Sequence, residues 1–197
     1  FGEKTLADVG IAPLIDLSYE EQVEVRQARV EKALGRLGVR VEALVRSPRE
    51  SGSRARVKLR GGPGGLGFHL PGSHTRWEIP PEELSRIARP ELVEMAERIG
   101  GLGLEGEVEI RTDGERVVVV LDRHGPVPKD VNCSVGKKRK SGDPVLLVDG
   151  LKVSPTSFLQ VNLEVNRRIV DDVDALLEQA APARVLDLYG GVGNLSA

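Results

Sequence analysis

The stretch RVLDLYGGVGN, residues 184–194, constrains the fold more than any other part of the sequence. A short apolar run with one acid, Asp187, leads directly into a loop that contains Gly190, Gly191 and Gly193. Glycines at the end of a parallel strand let the backbone approach a ligand closely, because no Cβ atom stands in the way. The stretch is therefore typical of a strand that opens a nucleotide-binding α/β domain. The alternative is a structural strand–turn–helix junction, since short glycine motifs also arise by chance.

The acid in the strand indicates which kind of nucleotide-containing ligand suits the loop. The dinucleotide fingerprint G-x-G-x-x-G would need a glycine where Ser196 stands. Asp187 would also repel a pyrophosphate, whereas it suits an ammonium group or a ligand that carries hydroxyl groups. The form V-L-D-x-x-x-G-x-G resembles the first motif of class I S-adenosylmethionine-dependent methyltransferases. We therefore expect S-adenosyl-L-methionine as the cofactor.

The rest of the chain predicts helices and mostly antiparallel hairpins ahead of this strand. Residues 18–38 fit a helix that begins with a capping box of Ser18 and Glu21. Asp113-Gly114 is a strong turn signal between two strands with alternating or apolar residues. Residues 126–145 are rich in proline, glycine and lysine and are predicted to be a loop. An amphipathic helix with Asn162 as its N-cap precedes the glycine-loop strand.

Composition excludes several classes of protein. Of the 197 residues, 40% are apolar and 29% charged, as in globular proteins. No apolar run approaches the roughly 18 residues of a membrane span, and FGEKTLADVG does not resemble a signal peptide. The single cysteine, Cys133, cannot form a disulfide within the chain. We expect a cytoplasmic monomer with no membrane partner and no metal site.

Two basic runs stand out on a chain whose net charge is −2. Arg54, Arg56 and Lys58 alternate along a short predicted strand, so their side chains share one face. They are candidate phosphate contacts, and the alternative is a solvated strand face. The second run, residues 137–140, reads KKRK and is predicted to be a solvated loop.

Two coupled motifs resemble the RNA 5-methyluridine methyltransferases, which methylate C5 of uracil in transfer or ribosomal RNA. The chain has PTSFLQVN at residues 155–162, then the predicted helix, then VLDLYGGVGN. The family pattern is S-F-F-Q-V-N, a helix, then D-L-Y-C-G-x-G. Upstream, SRARVKLR at residues 53–60 and LGFHLPGSH at residues 66–74 are similar to the family's R-x-R and L-G-F-x-x-P-G-S-H stretches.

The resemblance implies a set of cofactor-binding residues. Gln160, Tyr189 and Asn194 match cofactor-contacting positions, and Asp187, Gly191 and Gly193 shape the loop. Each also has a structural alternative, because Gln160 can cap a helix start, Tyr189 can pack in a core and Asn194 can be a helix N-cap. The resemblance further assigns Arg54, Arg56 and Lys58 to contacts with RNA.

The resemblance has departures that limit what it implies. Many members carry an iron–sulfur cluster with C-G-G-C at its heart, but residues 9–12 here read VGIA, so we expect no cluster. The family activates uracil by adding a cysteine thiolate to C6, and its nucleophile and general base would fall beyond Ala197. We therefore assign no catalytic residue. The alternatives are a degenerate member that binds RNA without catalysis and an interaction domain with a chance glycine loop.

Together these features predict an α+β central domain followed by the start of an α/β Rossmann-like methyltransferase domain that is incomplete. The function expected is an S-adenosylmethionine-dependent RNA (uracil-C5-)methyltransferase acting on tRNA or rRNA, present as an inactive fragment. The predicted divisions are an N-terminal segment and helix at residues 1–40, a central RNA-facing domain at residues 41–155 and a cofactor-binding portion at residues 156–197.

Overall fold

A mixed seven-stranded sheet organises the computed structural model, which describes residues 4–188 and 190–195. Its strands are β1 (Arg56–Gly62), β2 (Gly65–His69), β3 (Arg76–Glu78), β4 (Gly106–Thr112), β5 (Val117–Leu121), β6 (Asn132–Val135) and β7 (Lys138–Ser141). Their order across the sheet is β3-β2-β1-β4-β5-β6-β7. Neighbouring strands are antiparallel except β5 and β6, which are parallel. A separate hairpin joins β8 (Leu146–Val148) to β9 (Leu151–Val153).

The described residues form four α-helices, and two of them begin at the caps that the sequence predicts. The four helices are α1 (Tyr19–Leu34), which continues as a 3₁₀ turn at Gly35–Leu37, α2 (Pro81–Ser85), α3 (Pro90–Gly100) and α4 (Leu163–Ala180). The capping box of Ser18 and Glu21 is confirmed, because each side chain bonds the other residue's backbone N–H. Asn162 caps α4 by accepting from the N–H of Val165 at 3.0 Å. Satisfying these otherwise unpaired amides fixes where the helices start.

One face of the sheet carries the larger hydrophobic core. Helix α3 places Leu92 and Ile99 against Leu59 and Ile110 of the sheet, and all four side chains are buried. The N-terminal segment also enters this core through Leu6, which is fully buried. Alternation along β1 and β4 explains why one face is apolar and the other polar.

The opposite face carries a smaller core that joins the sheet to the C-terminal part of the chain. Val118 of β5 packs with Val153, Leu159 and Leu163, and Val192 of the glycine loop packs against the same cluster. The N–H of Ala55 also donates to the carbonyl of Val161. The contact of Val192 therefore holds the glycine loop against the sheet, and the Ala55–Val161 hydrogen bond holds the segment before α4.

The prediction that residues 126–145 form a loop is wrong. This stretch contains β6 and β7, and β6 pairs in parallel with β5 through the register Val119↔Cys133. Burial of Val131 and Cys133 stabilises β6. The composition of the flanking residues, rich in proline and lysine, predicts a loop and does not indicate this burial. The four basic residues 137–140 therefore belong to a β-hairpin and not to a loop.

The strand predicted ahead of the glycine loop is also not formed among the described residues. Residues 184–187 are in no strand, and the side chain of Leu186 is 80% exposed. An extended segment becomes a strand only when a neighbour takes up its backbone N–H and C=O groups, and none of the described strands lies beside it. Tyr189 lies outside the described residues.

Gly67 of β2 offers a test of the sheet. A Cβ atom at this position would collide with the carbonyl oxygen of Trp77 on the neighbouring strand β3. We expect Gly67→Ala to lower the free energy of unfolding by about 1–3 kcal/mol, because the strands must separate to admit the methyl group. Gly100→Ala is the matched control, since nothing lies within 4 Å of its added Cβ atom. Equal urea midpoints for the two variants would contradict this packing.

The buried thiol of Cys133 makes the stability of the fold depend on pH. Burial raises the pKa of its thiol to about 11 from an ordinary value of 9.0. Because the folded state favours the protonated thiol, its contribution to stability is complete below pH 9.0 and is lost as the pH rises toward about 11. We expect the urea midpoint of the wild type to fall more steeply across this interval than that of Cys133→Ala. Parallel pH profiles would argue against a buried thiol.

Candidate functional site

A cavity of about 310 Å³ lies where the β8–β9 hairpin, residues 158–160, helix α4 and the glycine loop meet. Four of the residues predicted to bind a cofactor line it, namely Gln160, Asp187, Gly191 and Asn194. Apolar side chains of Val148, Leu151 and Leu195 form other parts of its wall. The cavity therefore combines polar groups from two separate motifs with an apolar surface, which is the usual composition of a small-molecule site.

The glycine loop forms a tight turn beside the cavity. Gly191 has φ 61° and Gly193 has φ 88°, a backbone region that side chains disfavour. The N–H of Gly193 donates to the carbonyl of Gly190 at 2.8 Å and closes the turn. At Gly190, an added Cβ atom would lie 2.8 Å from Oδ2 of Asp187. The glycines thus leave the Asp187 carboxylate undisturbed at the edge of the cavity.

Asn166 is a residue of the site that the sequence reasoning missed. Its side-chain amide exchanges two hydrogen bonds, each of 2.9 Å, with the amide of Asn194. Asn166 is only 2% exposed, and the pair fixes the glycine loop to the first turn of α4. A polar residue beside the apolar stripe of α4 was the signal that could have indicated it.

Arg111 of β4 is a second residue that the sequence did not single out. Its guanidinium is 1% exposed and donates to the carbonyls of Ser154, Pro155 and Ser157. Burial lowers its pKa, and the Glu109 carboxylate, 3.3 Å from Nε, counters that effect. Arg111 therefore holds the turn that leads into Phe158 and Gln160, and it positions the wall of the cavity from the sheet.

A second, open cavity of about 390 Å³ runs between the polar sheet face and this turn. We call it the sheet groove, and it is lined by Arg56, Lys58, Glu107, Glu109, Val120, Leu121, Asp122, Gly136 and residues 155–158. Phe158 borders both cavities and its side chain is 65% exposed. The two cavities are therefore neighbours that share an exposed aromatic ring.

The three basic residues predicted to contact RNA do not share one environment. Arg56 and Lys58 lie in the sheet groove, where Arg56 Nε is 2.8 Å from Glu109 Oε1 and Lys58 Nζ is 2.8 Å from Glu107 Oε1. The hydrogen bond to Glu107 raises the pKa of Lys58. Arg54 precedes β1, where its backbone bonds Ile87 and Arg89, and its side chain is exposed. Carboxylates thus already compensate the charges of the two groove residues.

The region that resembles the iron–sulfur segment of the family has no thiol. Val9 is buried, and Ile11 and Ala12 pack against the larger core. No group of three or more His, Cys, Asp or Glu side chains that could hold a metal ion occurs in residues 4–188 and 190–195. Within the same residues, no helix is long and apolar enough to cross a membrane. The residues present at positions 9–12 do not fit a cluster.

Short stretches of the sequence are similar to curated RNA methyltransferases. One relative, the 23S rRNA (uracil(1939)-C(5))-methyltransferase RlmD of Shewanella woodyi, is 50% identical over 46 residues, which are 23% of this chain and 10% of that protein. The RlmD of Shewanella amazonensis is 47% identical over 55 residues, which are 27% of this chain and 12% of its own. No known family profile matches the chain. The predicted resemblance to the RNA 5-methyluridine methyltransferases is confirmed over these stretches.

The fold is similar to that of a solved enzyme. The crystal structure of Pyrococcus abyssi tRNA (uracil-54, C5)-methyltransferase in complex with S-adenosyl-L-homocysteine superposes with a TM-score of 0.70 at 21% sequence identity. The match covers 92% of this chain and 54% of that one, so the chain spans about half the length of the solved enzyme. This similarity confirms the predicted fold class, an α+β domain followed by the start of an α/β methyltransferase domain.

Replacing Arg111 tests its hold on the turn. We expect Arg111→Met to lower the free energy of unfolding by about 3 kcal/mol, because three carbonyls and Glu109 lose a buried partner. Arg116→Met is the matched control, because its ion pair with Asp143 is exposed and should contribute less than about 1 kcal/mol. Unfolding in guanidinium chloride measures the free energy of unfolding of both variants. Equal decreases would contradict the assignment of Arg111 as the residue that holds the turn.

Proposed function

We propose that this chain forms the RNA-facing and cofactor-binding part of an S-adenosylmethionine-dependent RNA (uracil-C5-)methyltransferase that acts on tRNA or rRNA in the cytoplasm. The observation that carries the proposal is the convergence of Gln160, Asp187, Gly191 and Asn194 on one cavity. Two motifs separated by helix α4 supply these residues, and a chance glycine loop would not bring them together. The relatives and the solved neighbour bear names of the same reaction class.

The cavity residues suit S-adenosylmethionine. The Asp187 carboxylate would accept hydrogen bonds from the ammonium group or the ribose hydroxyls, and Gln160 and Asn194 supply amide donors and acceptors. Val148, Leu151 and Leu195 offer apolar contact for a flat aromatic base. The cofactor would supply an electrophilic methyl group. The bare backbone of the glycine loop allows the ligand to lie close, and Tyr189 stays a proposed contact from its motif position.

The sheet groove suits the RNA. A base that undergoes methylation must leave its stack, and the groove opens beside the candidate cofactor cavity at Phe158. Arg54, Arg56 and Lys58 remain proposed RNA contacts. Arg56 and Lys58 would have to exchange Glu109 and Glu107 for phosphate, which reduces the net gain in binding free energy from each contact.

The proposed domains are an N-terminal segment and helix at residues 1–40, a central RNA-facing domain at residues 41–155 and a cofactor-binding portion at residues 156–197.

None of the residues that the structure describes is assigned as the nucleophile. Cys133 is buried in the core on the sheet face that carries α3, and burial raises the pKa of its thiol to about 11. A catalytic thiol needs a lowered pKa and access to the substrate. The chain alone is therefore proposed to bind cofactor and RNA, and we assign the methyl-transfer chemistry to none of its described residues.

Titration with S-adenosyl-L-homocysteine tests the cofactor assignment. We expect calorimetric binding to the wild type and at least about tenfold weaker binding to Asp187→Asn, because a charged hydrogen bond contributes about 1.5–3 kcal/mol. Asp174→Asn is the matched control, since it removes one exposed carboxylate from α4 outside the cavity. Equal affinity in the two variants would contradict the role of Asp187, and no binding to the wild type would overturn the cofactor assignment.

A further inference from the structure

We infer that the β6–β7 hairpin, through residues 137–140, binds the sugar-phosphate backbone of RNA that enters the sheet groove. The inference rests on the proposed function, because it takes RNA as the partner. It assigns a separate backbone-binding element, in addition to the three basic residues near β1. The four side chains involved are Lys137, Lys138, Arg139 and Lys140.

The four side chains are exposed cations at one edge of the sheet. Each is exposed on or beside β7, which forms one edge of the sheet. In the part of the chain that the structure describes, none of them makes an ion pair, whereas Arg56 and Lys58 are each 2.8 Å from a carboxylate oxygen. A phosphate that binds the hairpin therefore does not have to displace a carboxylate. Release of counterions from RNA would favour binding at this place.

The strand register places the hairpin on the sheet groove. Residues that pair across neighbouring strands share a sheet face, and one such row runs Lys58, Glu109, Val120, Ser134 and Arg139. Arg139 thus stands on the same face as the groove residues. Gly136, in the turn of the hairpin, lines the groove itself. The groove therefore connects the basic hairpin with Phe158 at the candidate cofactor cavity.

The charges of the groove explain why the backbone would bind at the hairpin. Three carboxylates, Glu107, Glu109 and Asp122, line the groove with only two cations, Arg56 and Lys58. A phosphate on the groove floor would meet a net negative surface, whereas the hairpin presents four exposed positive charges. The sugar-phosphate chain would therefore bind mainly along the hairpin. A phosphate that reaches Arg56 or Lys58 in the groove would have to displace Glu109 or Glu107.

Lysine on an edge strand also has a purely structural use, because it prevents pairing with the edge of another molecule. The two roles differ in what they predict. Edge protection requires only that the side chains be charged and hydrated, and it involves no RNA. Backbone binding requires that removal of these charges change the salt dependence of RNA affinity.

The test compares two variants that remove equal charge. The hairpin variant carries Lys137→Gln, Lys138→Gln, Arg139→Gln and Lys140→Gln. The control variant carries Arg29→Gln, Lys32→Gln, Arg36→Gln and Arg40→Gln, all on the exposed surface in or after α1. Fluorescence anisotropy measures the affinity of the 197-residue chain for a uridine-containing single-stranded oligoribonucleotide at several NaCl concentrations.

We expect the hairpin variant to bind more than about tenfold more weakly at low salt. Its slope of log affinity against log salt should be shallower by about 2–3, since each lost phosphate contact accounts for about 0.7 on single strands. The control should change the slope by less than about 1. Single variants then use the strand alternation, and Arg139→Gln on the groove face should weaken binding more than Lys138→Gln on the other face.

Each contrary result has a distinct meaning. Equal slopes for the hairpin and control variants would overturn the hairpin assignment while RNA binding by the wild type still supported the proposed function. Self-association of the hairpin variant with an unchanged slope in its monomeric fraction would show edge protection instead. No RNA binding by the wild type, with S-adenosyl-L-homocysteine still bound, would remove the proposed RNA partner and the hairpin inference together.

Discussion

The buried guanidinium of Arg111 is the interaction on which the arrangement of the two cavities depends. It projects from β4, in the middle of the sheet, and donates to three carbonyls of the turn at residues 154–157. Burying a cation costs free energy unless acceptor groups bind it. The hydrogen bonds from Arg111 therefore fix the turn to the sheet. Phe158 and Gln160 follow directly, and their positions therefore depend on a residue outside both motifs.

The same arginine connects the cavity wall to the polar face of the sheet. Glu109 contacts Arg111, Arg56 and Lys58, so one carboxylate lies between the turn and the basic side of the groove. The smaller core holds the glycine loop to this sheet through Val192. The amide pair of Asn166 and Asn194 fixes the loop to α4. The cofactor cavity and the groove are thus connected through contacts on one face of the sheet.

Local signals in the sequence were sufficient for much of the fold. Ser18 with Glu21, Asp113-Gly114 and Asn162 each predict an element boundary because the hydrogen bonds involved lie within a few residues. The β6–β7 hairpin was missed because β6 is stabilised by a parallel partner, β5, and by burial of Cys133, neither of which is visible locally. The strand at residues 184–188 was predicted from its apolar run, but strand pairing needs a neighbour that none of the described strands provides.

Local sequence signals predict the candidate site only in part, for the same reason. The resemblance of the two motifs to the methyltransferase family implies Gln160, Asp187, Gly191 and Asn194 as cofactor-binding residues, and these residues do line one cavity. Arg111 acts through a contact 43 residues away in sequence, so no local pattern could indicate it. Asn166 has a local signal, its polar position beside the apolar stripe of α4, but that signal could not identify its partner 28 residues away. Alternation correctly put Arg56 and Lys58 on one face, yet it could not show that β4 places Glu107 and Glu109 opposite them.

The most direct measurement is a competition at the glycine loop between S-adenosyl-L-homocysteine and NAD, each titrated into the purified chain by calorimetry. Asp187 at the edge of the cavity should favour the ammonium and hydroxyl groups of the first ligand and repel the pyrophosphate of the second. Binding of S-adenosyl-L-homocysteine, with NAD unable to displace it, is the expected result. Preferential binding of NAD would contradict the assignment of this cavity to a methyl-donor cofactor.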